Sequence, residues 1–277
     1  MSHSRYHRPP MTTNHQTPDP LVTTASPASA PRRRRWPRIL GVILLVAALL
    51  IVVGGALFLA PQPLLPEATA ALASTDTVTY ADEGDWLAFT PTSGASTTGF
   101  IFYPGAKVPA AGYAPAAQAI AAAGYPAFIA EMPLNLAILD GNAAADIQAA
   151  HPEVETWVLA GHSLGGVMAA GYAADHQDAV GGLALWASYP SGDISSADLV
   201  TSSIYGTLDA GAERITSAET RTTLPTATTF VSIEGGNHEQ MGWYTGQPND
   251  PPATISRADQ QALVVAATLD VLEAVAP

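Results

Sequence analysis

Residues Thr156–Asp175 read TWVLAGHSLGGVMAAGYAAD. The apolar run Thr156–Ala160 predicts a buried strand, and Ser163–Asp175 predicts a helix. Between them Gly161-His162-Ser163-Leu164-Gly165 carries the spacing G-x-S-x-G. Glycines two before and two after the serine let backbone pass close by in a tight strand-to-helix turn, which exposes the serine Oγ. Gly165, Gly166, Ala169, Ala170 and Gly171 let the helix lie close on a sheet. The bare spacing recurs by chance in Gly-rich chains. The strand before it and the helix after it separate this copy from a plain Gly-rich turn.

Outward from this turn the same alternation continues. Strands are predicted at Thr77–Tyr80 and Trp86–Thr90, joined by the turn Glu83-Gly84-Asp85, and then at Thr98–Tyr103, Pro126–Ala130, Val180–Ala187, Val200–Tyr205 and Thr228–Ile233. Helices are predicted at Tyr113–Ala123, over most of Leu134–Ala150 with a break near Gly141, and at Arg257–Val275. Strands alternating with helices after a hairpin predict an α/β fold, a mostly parallel sheet with helices on both faces. Sites in such sheets lie beyond the carboxyl ends of the strands.

A serine hydroxyl is a weak nucleophile and needs a base. Residues 61–277 hold four histidines, His151, His162, His176 and His238. His162 is expected to point away from the serine's pocket, and His151 and His176 lie at or near helix ends. His238 follows the strand Thr228–Ile233 in Gly235-Gly236-Asn237-His238 and is the expected base. The carboxylate that orients it is Asp209, beyond Val200–Tyr205, with Asp193 as the competitor. A negatively charged intermediate needs two backbone N–H donors. Leu164 supplies one. Pro104 has no N–H, so Ala106 is the expected second donor, with Lys107 as alternative. Lys107, the only lysine, is expected either to pair with Glu131 or to add positive potential at the site.

The blocks YPGAKV (103–108), EMPLNLA (131–137), GHSLGG (161–166), LWASYP (185–190), IYGTLD (204–209) and EGGNHEQMG (234–242) resemble the α/β-hydrolase superfamily, in its compact branch near dienelactone hydrolase (α/β-hydrolase fold-5). The resemblance runs from about Gly99 to Gln261. It implies an α/β-hydrolase fold and a serine hydrolase, esterase- or lipase-like, that cleaves carboxylic esters or related acyl bonds through Ser163, Asp209 and His238, with no metal or cofactor. Dienelactone hydrolase uses a cysteine. This chain has none, so that lactone substrate is not implied. Only about a dozen residues separate Ala187 from Val200, where many lipases insert a helical lid, so an open site is expected. Met132, Leu134, Leu136, Trp186, Tyr189, Met241 and Trp243 are candidate pocket walls as well as candidate core. An acyltransferase acting on cell-envelope alcohols with the same triad, or a non-catalytic membrane-tethered binding domain, are the alternative readings.

The 277 residues carry a net charge of −13, 48% hydrophobic and 13% charged residues, and the charge is unevenly spread. Residues 1–60 are +6 and residues 61–277 are −19. The acidic body disfavours nucleic acid and favours a small neutral or cationic substrate. Residues 1–38, rich in Pro, Ser, Thr and Arg, read as a disordered basic tail. Ile39–Ala60 is 22 residues without a polar side chain, about 33 Å as a helix and enough for a bilayer core of roughly 30 Å. Arg32–Arg35 and Arg38 precede it, so a single-pass signal anchor is expected with the N-terminus cytoplasmic, the catalytic domain extracytoplasmic and the lipid bilayer as partner. Cleavage of the segment as a signal peptide, releasing a secreted body, is the alternative. Residues 61–74 read as a linker before a catalytic domain at 75–277. A chain beginning near Ser74 is expected to be soluble and active.

Overall fold

The computed structural model describes Met1 and residues 36–277. The tail expected at residues 1–38 lies almost wholly outside them. Two compact units, 1–52 and 53–277, divide the chain. The apolar segment forms helix α1, Trp36–Phe58, with side chains such as Leu44, Leu45 and Leu50 exposed. Among the described residues no helix is long and apolar enough to cross a membrane.

Eight strands form one sheet: β1 Val78–Asp82, β2 Trp86–Pro91, β3 Thr98–Tyr103, β4 Ala127–Ala130, β5 Thr156–His162, β6 Val180–Trp186, β7 Val200–Gly206 and β8 Thr229–Ile233. Their spatial order is β1-β2-β4-β3-β5-β6-β7-β8. β1–β2 and β2–β4 pair antiparallel, and every other neighbour is parallel. This is the hairpin-then-alternation pattern expected from the sequence. The remaining helices are α2 Pro66–Ala70, α3 Ala114–Ala122, α4 Ala143–Ala150, α5 Leu164–Asp175, α6 Ala212–Thr216, α7 Ala218–Thr222 and α8 Arg257–Val275.

The two-residue period of a strand divides the core into two layers. Phe100 and Phe102 of β3, Val158 and Ala160 of β5, and Ala184 and Trp186 of β6 face one way, with α3 and α8. Ile101 and Tyr103, Trp157 and Leu159, and Leu183 and Leu185 face the other, with α4 and α5. Both faces being covered explains why these strands read as unbroken apolar runs. Helix α8 buries Gln260, Gln261, Val264, Ala267, Thr268, Val271 and Leu272, one helical stripe. Ser256 caps it, accepting from the Asp259 N–H at 3.1 Å.

Two expectations need correction. Leu134–Ala150 is not mostly helical. Pro133–Asn135 and Ala137–Leu139 are single 3₁₀ turns, and Leu134 and Asn135 hold left-handed backbone (φ 53° and 54°) that no α-helix contains. Only α4, beyond Gly141, is α-helical. Residues 61–74 are more than a linker. Gln62 N–H donates to Lys107 O at 2.8 Å, Leu65 N–H to Trp243 O at 3.0 Å, and Thr245 N–H to Pro63 O at 2.9 Å. Ala68 of α2 is fully buried, and Gln118 Nε2 holds Ala71 O and Ala73 O. A chain beginning at Ser74 therefore loses three backbone hydrogen bonds and buried apolar surface, roughly 3 kcal/mol in all, or roughly 6–12 °C in thermal midpoint. A chain beginning at Pro61 keeps them. Equal midpoints for the two chains would show that the segment contributes nothing.

Candidate active site

The site forms at the carboxyl ends of β3, β5, β6, β7 and β8, where the sheet order places five loops side by side. The tightest is the turn after β5. Ser163 has φ 52° and ψ −120°, a strained conformation for a residue with a Cβ. A Cβ on Gly161 would lie 2.5 Å from backbone atoms of Gly165 and Gly166, and one on Gly165 would lie 2.1 Å from Tyr103 O. Only glycine lets α5 start so close to β3. The Ser163 N–H donates to Trp186 O at 3.0 Å, and Ser163 O accepts from the Ser188 hydroxyl at 2.7 Å.

Asp209 and His238 meet across the next two loops. A Cβ on Gly206 would lie 2.3 Å from Gly236 backbone, so the β7 and β8 loops touch there. His238 Nδ1 lies 2.9 Å from Asp209 Oδ2, and the Asp209 side chain is fully buried. Asp209 Oδ1 accepts from the Gly211 N–H at 2.6 Å. With Nδ1–H donated to the carboxylate, His238 keeps its lone pair on Nε2. The competitor Asp193 instead accepts from the Ser195 N–H in an exposed turn. That contact, led by the Ser195 side chain and backbone, holds its carboxyl below the usual range.

Ser163, Leu164, Asp209 and His238 line one cleft of about 390 Å³, with Ala187, Ser188, Tyr189, Gly211, Ile215, Gln247 and Asp250 among its other walls. Among the described residues no hydrogen bond joins the Ser163 hydroxyl to His238; the two share the cleft. A second, smaller crevice of about 130 Å³ reaches the same pair from the side of the β3 loop, past Gln62, Ala106, Lys107, His162 and Tyr244. The N–H groups of this loop are nearly all committed. Gly105 donates to Tyr113 Oη at 3.1 Å, Lys107 to Asn135 O at 2.7 Å and Val108 to Gly105 O at 3.1 Å. Pro104 has none. The Ala106 N–H has no acceptor among the described residues. The Leu164 N–H, at the first position of α5, has no intrahelical acceptor either.

The base loop is braced from behind. Buried Gln260 accepts from Asn237 N–H at 3.0 Å and donates to Asn237 O at 2.7 Å. The Asp250 carboxylate accepts from His238 N–H at 3.2 Å and Glu239 N–H at 2.8 Å, and burial raises its carboxyl above the usual value. Arg257 pairs with Glu239 at 3.0 Å and donates to the carbonyls of Glu239 and Gly242. Gln260, Asp250 and Arg257 were not singled out from the sequence. They lie 12–22 residues from His238, on segments whose polarity alone reads as solvent-facing.

Several expected residues sit elsewhere. Met132, Trp186 and Met241 are core, and Trp186 Nε1 donates to Thr268 at 3.0 Å. Trp243 lines a groove between α3 and α8. Leu134 is 59% exposed. Of the tentative pocket walls only Tyr189 lines the cleft; Arg214 lies over its ring. Burial, then Asp82, raises the Glu131 carboxyl. No lid helix occurs between β6 and β7. Among the described residues no group of three or more His, Asp or Glu side chains is gathered to hold a metal.

His162 does not point away from the site. It is buried, its ring lies 4.4 Å from that of His238, and its Nδ1 lies 2.8 Å from Tyr113 Oη. The same Tyr113 oxygen accepts from the Gly105 N–H at 3.1 Å, which ties His162 to the β3 loop. Burial, then the neighbouring His238, holds His162 well below the ordinary histidine pKa. A histidine kept neutral when folded adds stability that is present above about pH 6.5 and is lost as pH falls below it, since the unfolded chain then binds a proton that the folded chain does not. Wild type should therefore lose up to about 1.4 kcal/mol more per pH unit than His162→Gln between pH 6.5 and 5. Parallel thermal-midpoint curves would show that His162 titrates normally.

Residues 99–262 match the model of the Alpha/beta hydrolase family. The fold is similar to a "predicted CIB-like hydrolase" from Thermoplasma acidophilum, at TM-score 0.50 and 14% identity over 70% of this chain and 97% of the other. It is similar also to a "Putative Dienelactone Hydrolase" from Klebsiella pneumoniae, at TM-score 0.51 and 14% identity over 72% and 99%. None of the curated proteins matches the sequence.

Proposed function

The chain belongs to the alpha/beta hydrolase family, and from that premise we propose that it is a serine hydrolase of carboxylic esters or related acyl bonds, tethered to a membrane by α1 with the hydrolase domain facing outward. The observation that carries the reading is the cleft that Ser163, Asp209 and His238 line together, with Asp209 buried against His238 Nδ1. Ser163 Oγ attacks the acyl carbon while His238 Nε2 takes its proton. Asp209 stabilises the imidazolium. The uncommitted N–H groups of Leu164 and Ala106 stabilise the oxyanion. His238 then protonates the leaving alcohol, and the acyl group stays on Ser163 as an ester. Water, deprotonated by His238, attacks that ester, and its collapse frees the acid and restores the serine.

The tether rests on the length and apolarity of Ile39–Ala60 and on the arginines before it. A fluorophosphonate should label the protein covalently, with the adduct recovered on the peptide that contains Ser163. Protein left unlabelled while folded would remove the serine mechanism.

A further inference from the structure

Apart from Met1 and α1, the exposed large hydrophobic side chains among the described residues are Leu134, Ile138, Leu139, Val200 and Leu263. Three of these five fall within six residues, at 59%, 61% and 54% exposure. Isolated apolar side chains on a surface are ordinary, but a cluster marks a contact face. This cluster is held outward by its backbone. Left-handed Leu134 and Asn135 turn the chain. Asn135 N–H donates to Met132 O, Leu136 N–H to Pro133 O and Leu139 N–H to Leu136 O. Ala137 is buried beneath.

The cluster adjoins the candidate site and also the point where the chain leaves α1. Asn135 O accepts the Lys107 N–H at 2.7 Å, and Lys107 O accepts the Gln62 N–H at 2.8 Å. Lys107 follows Ala106, and Gln62 lines the crevice that reaches Ser163 and His238. Gln62 is four residues past Phe58, the end of α1, so chain connectivity alone keeps it within roughly 15 Å of that end. A bilayer crossed by α1 must come that close to Gln62 and the crevice it lines.

We propose that Leu134, Ile138 and Leu139 form a bilayer-contacting rim beside the cleft, and that the substrate is an acyl ester carried by a membrane lipid. The proposal rests on the membrane-tethered hydrolase reading. The occupant is a bilayer because the cluster is continuous, through Lys107 and Gln62, with the chain emerging from the apolar helix. With −19 on residues 61–277, contact is made by apolar insertion and is strongest on uncharged, zwitterionic surfaces.

The absence of cysteine allows a direct test. Full-length Ile138→Cys, labelled with an environment-sensitive dye, is reconstituted into phosphatidylcholine vesicles, with Glu155→Cys, ahead of β5 at the opposite end of the sheet, as control. The dye at 138 should shift to the blue and be quenched by lipid-borne nitroxide, while the dye at 155 should not. Protein that floats with vesicles while both dyes stay aqueous overturns the rim and leaves the tether standing. Protein that does not float overturns both. In a second arm, Ile138→Ser/Leu139→Ser should turn over a vesicle-borne fluorogenic phospholipid ester at least tenfold more slowly, with p-nitrophenyl acetate hydrolysis within twofold of wild type. Equal rates on the lipid ester overturn the proposal, as does equal loss on both substrates. Wild type inactive on p-nitrophenyl acetate would count against the hydrolase reading, and the dye measurement would still decide the rim.

Discussion

Ser163→Ala should lose on the order of 10⁶ in kcat on p-nitrophenyl esters, the scale seen when a serine nucleophile is removed from a working triad, and should lose covalent phosphonate labelling. The expectation is specific because the fold uses only the backbone of Ser163. Its N–H binds Trp186 O, and its carbonyl accepts from Ser188 and Val167. The side-chain hydroxyl holds nothing together. Alanine can occupy the same φ of 52° at a strain cost similar to serine's, so the thermal midpoint should stay within a few degrees. A folded variant that keeps more than a hundredth of wild-type turnover would move the nucleophile elsewhere. The same loss accompanied by unfolding would leave the assignment resting on the labelled peptide.

Asp209→Asn should cost on the order of 10⁴ in kcat. The buried carboxylate accepts from His238 Nδ1 and from Gly211 N–H. An asparagine oxygen can keep the Gly211 contact, which leaves its NH₂ facing Nδ1. The imidazole proton then moves to Nε2, the nitrogen that must take the serine's proton, and proton transfer stops. Asp193→Asn, in an exposed turn, should change kcat by less than twofold. Asp250 is the serious competitor, since its carboxylate also stands against His238. It binds the backbone N–H groups of His238 and Glu239, though, not the ring. A larger loss in Asp250→Asn than in Asp209→Asn would reassign the acid.

These experiments test residues that local pattern made legible. An apolar run, then G-x-S-x-G, then small residues at helical spacing can close in few ways, because two glycines must meet backbone at under 3 Å. Ser163, Asp209 and His238, in that order along the chain, each follow the end of a strand, β5, β7 and β8. The eight strands followed from apolar runs bounded by turns, with bounds shifted by one or two residues. The pocket walls were not legible in the same way. Met132, Trp186 and Met241 are apolar, and apolarity says that a side chain leaves water without saying on which side of the sheet. The reverse error befell Gln260 and Asp250, polar side chains read as surface, which instead hold the His238 loop through backbone hydrogen bonds.

By itself, then, the sequence determined the alternation of strands and helices, the serine turn, the candidate acid and base, and the apolar helix, because each depends on residues close in the chain. Only the tertiary structure decided that Ala106 keeps a free N–H while its neighbours do not, that His162 turns inward onto His238, that residues 61–74 are stitched to the loops of the site, and that Leu134, Ile138 and Leu139 stay in the open beside it. Each of these depends on which groups from distant segments reach a given donor, ring or surface first, and the packing of the whole domain settles that competition.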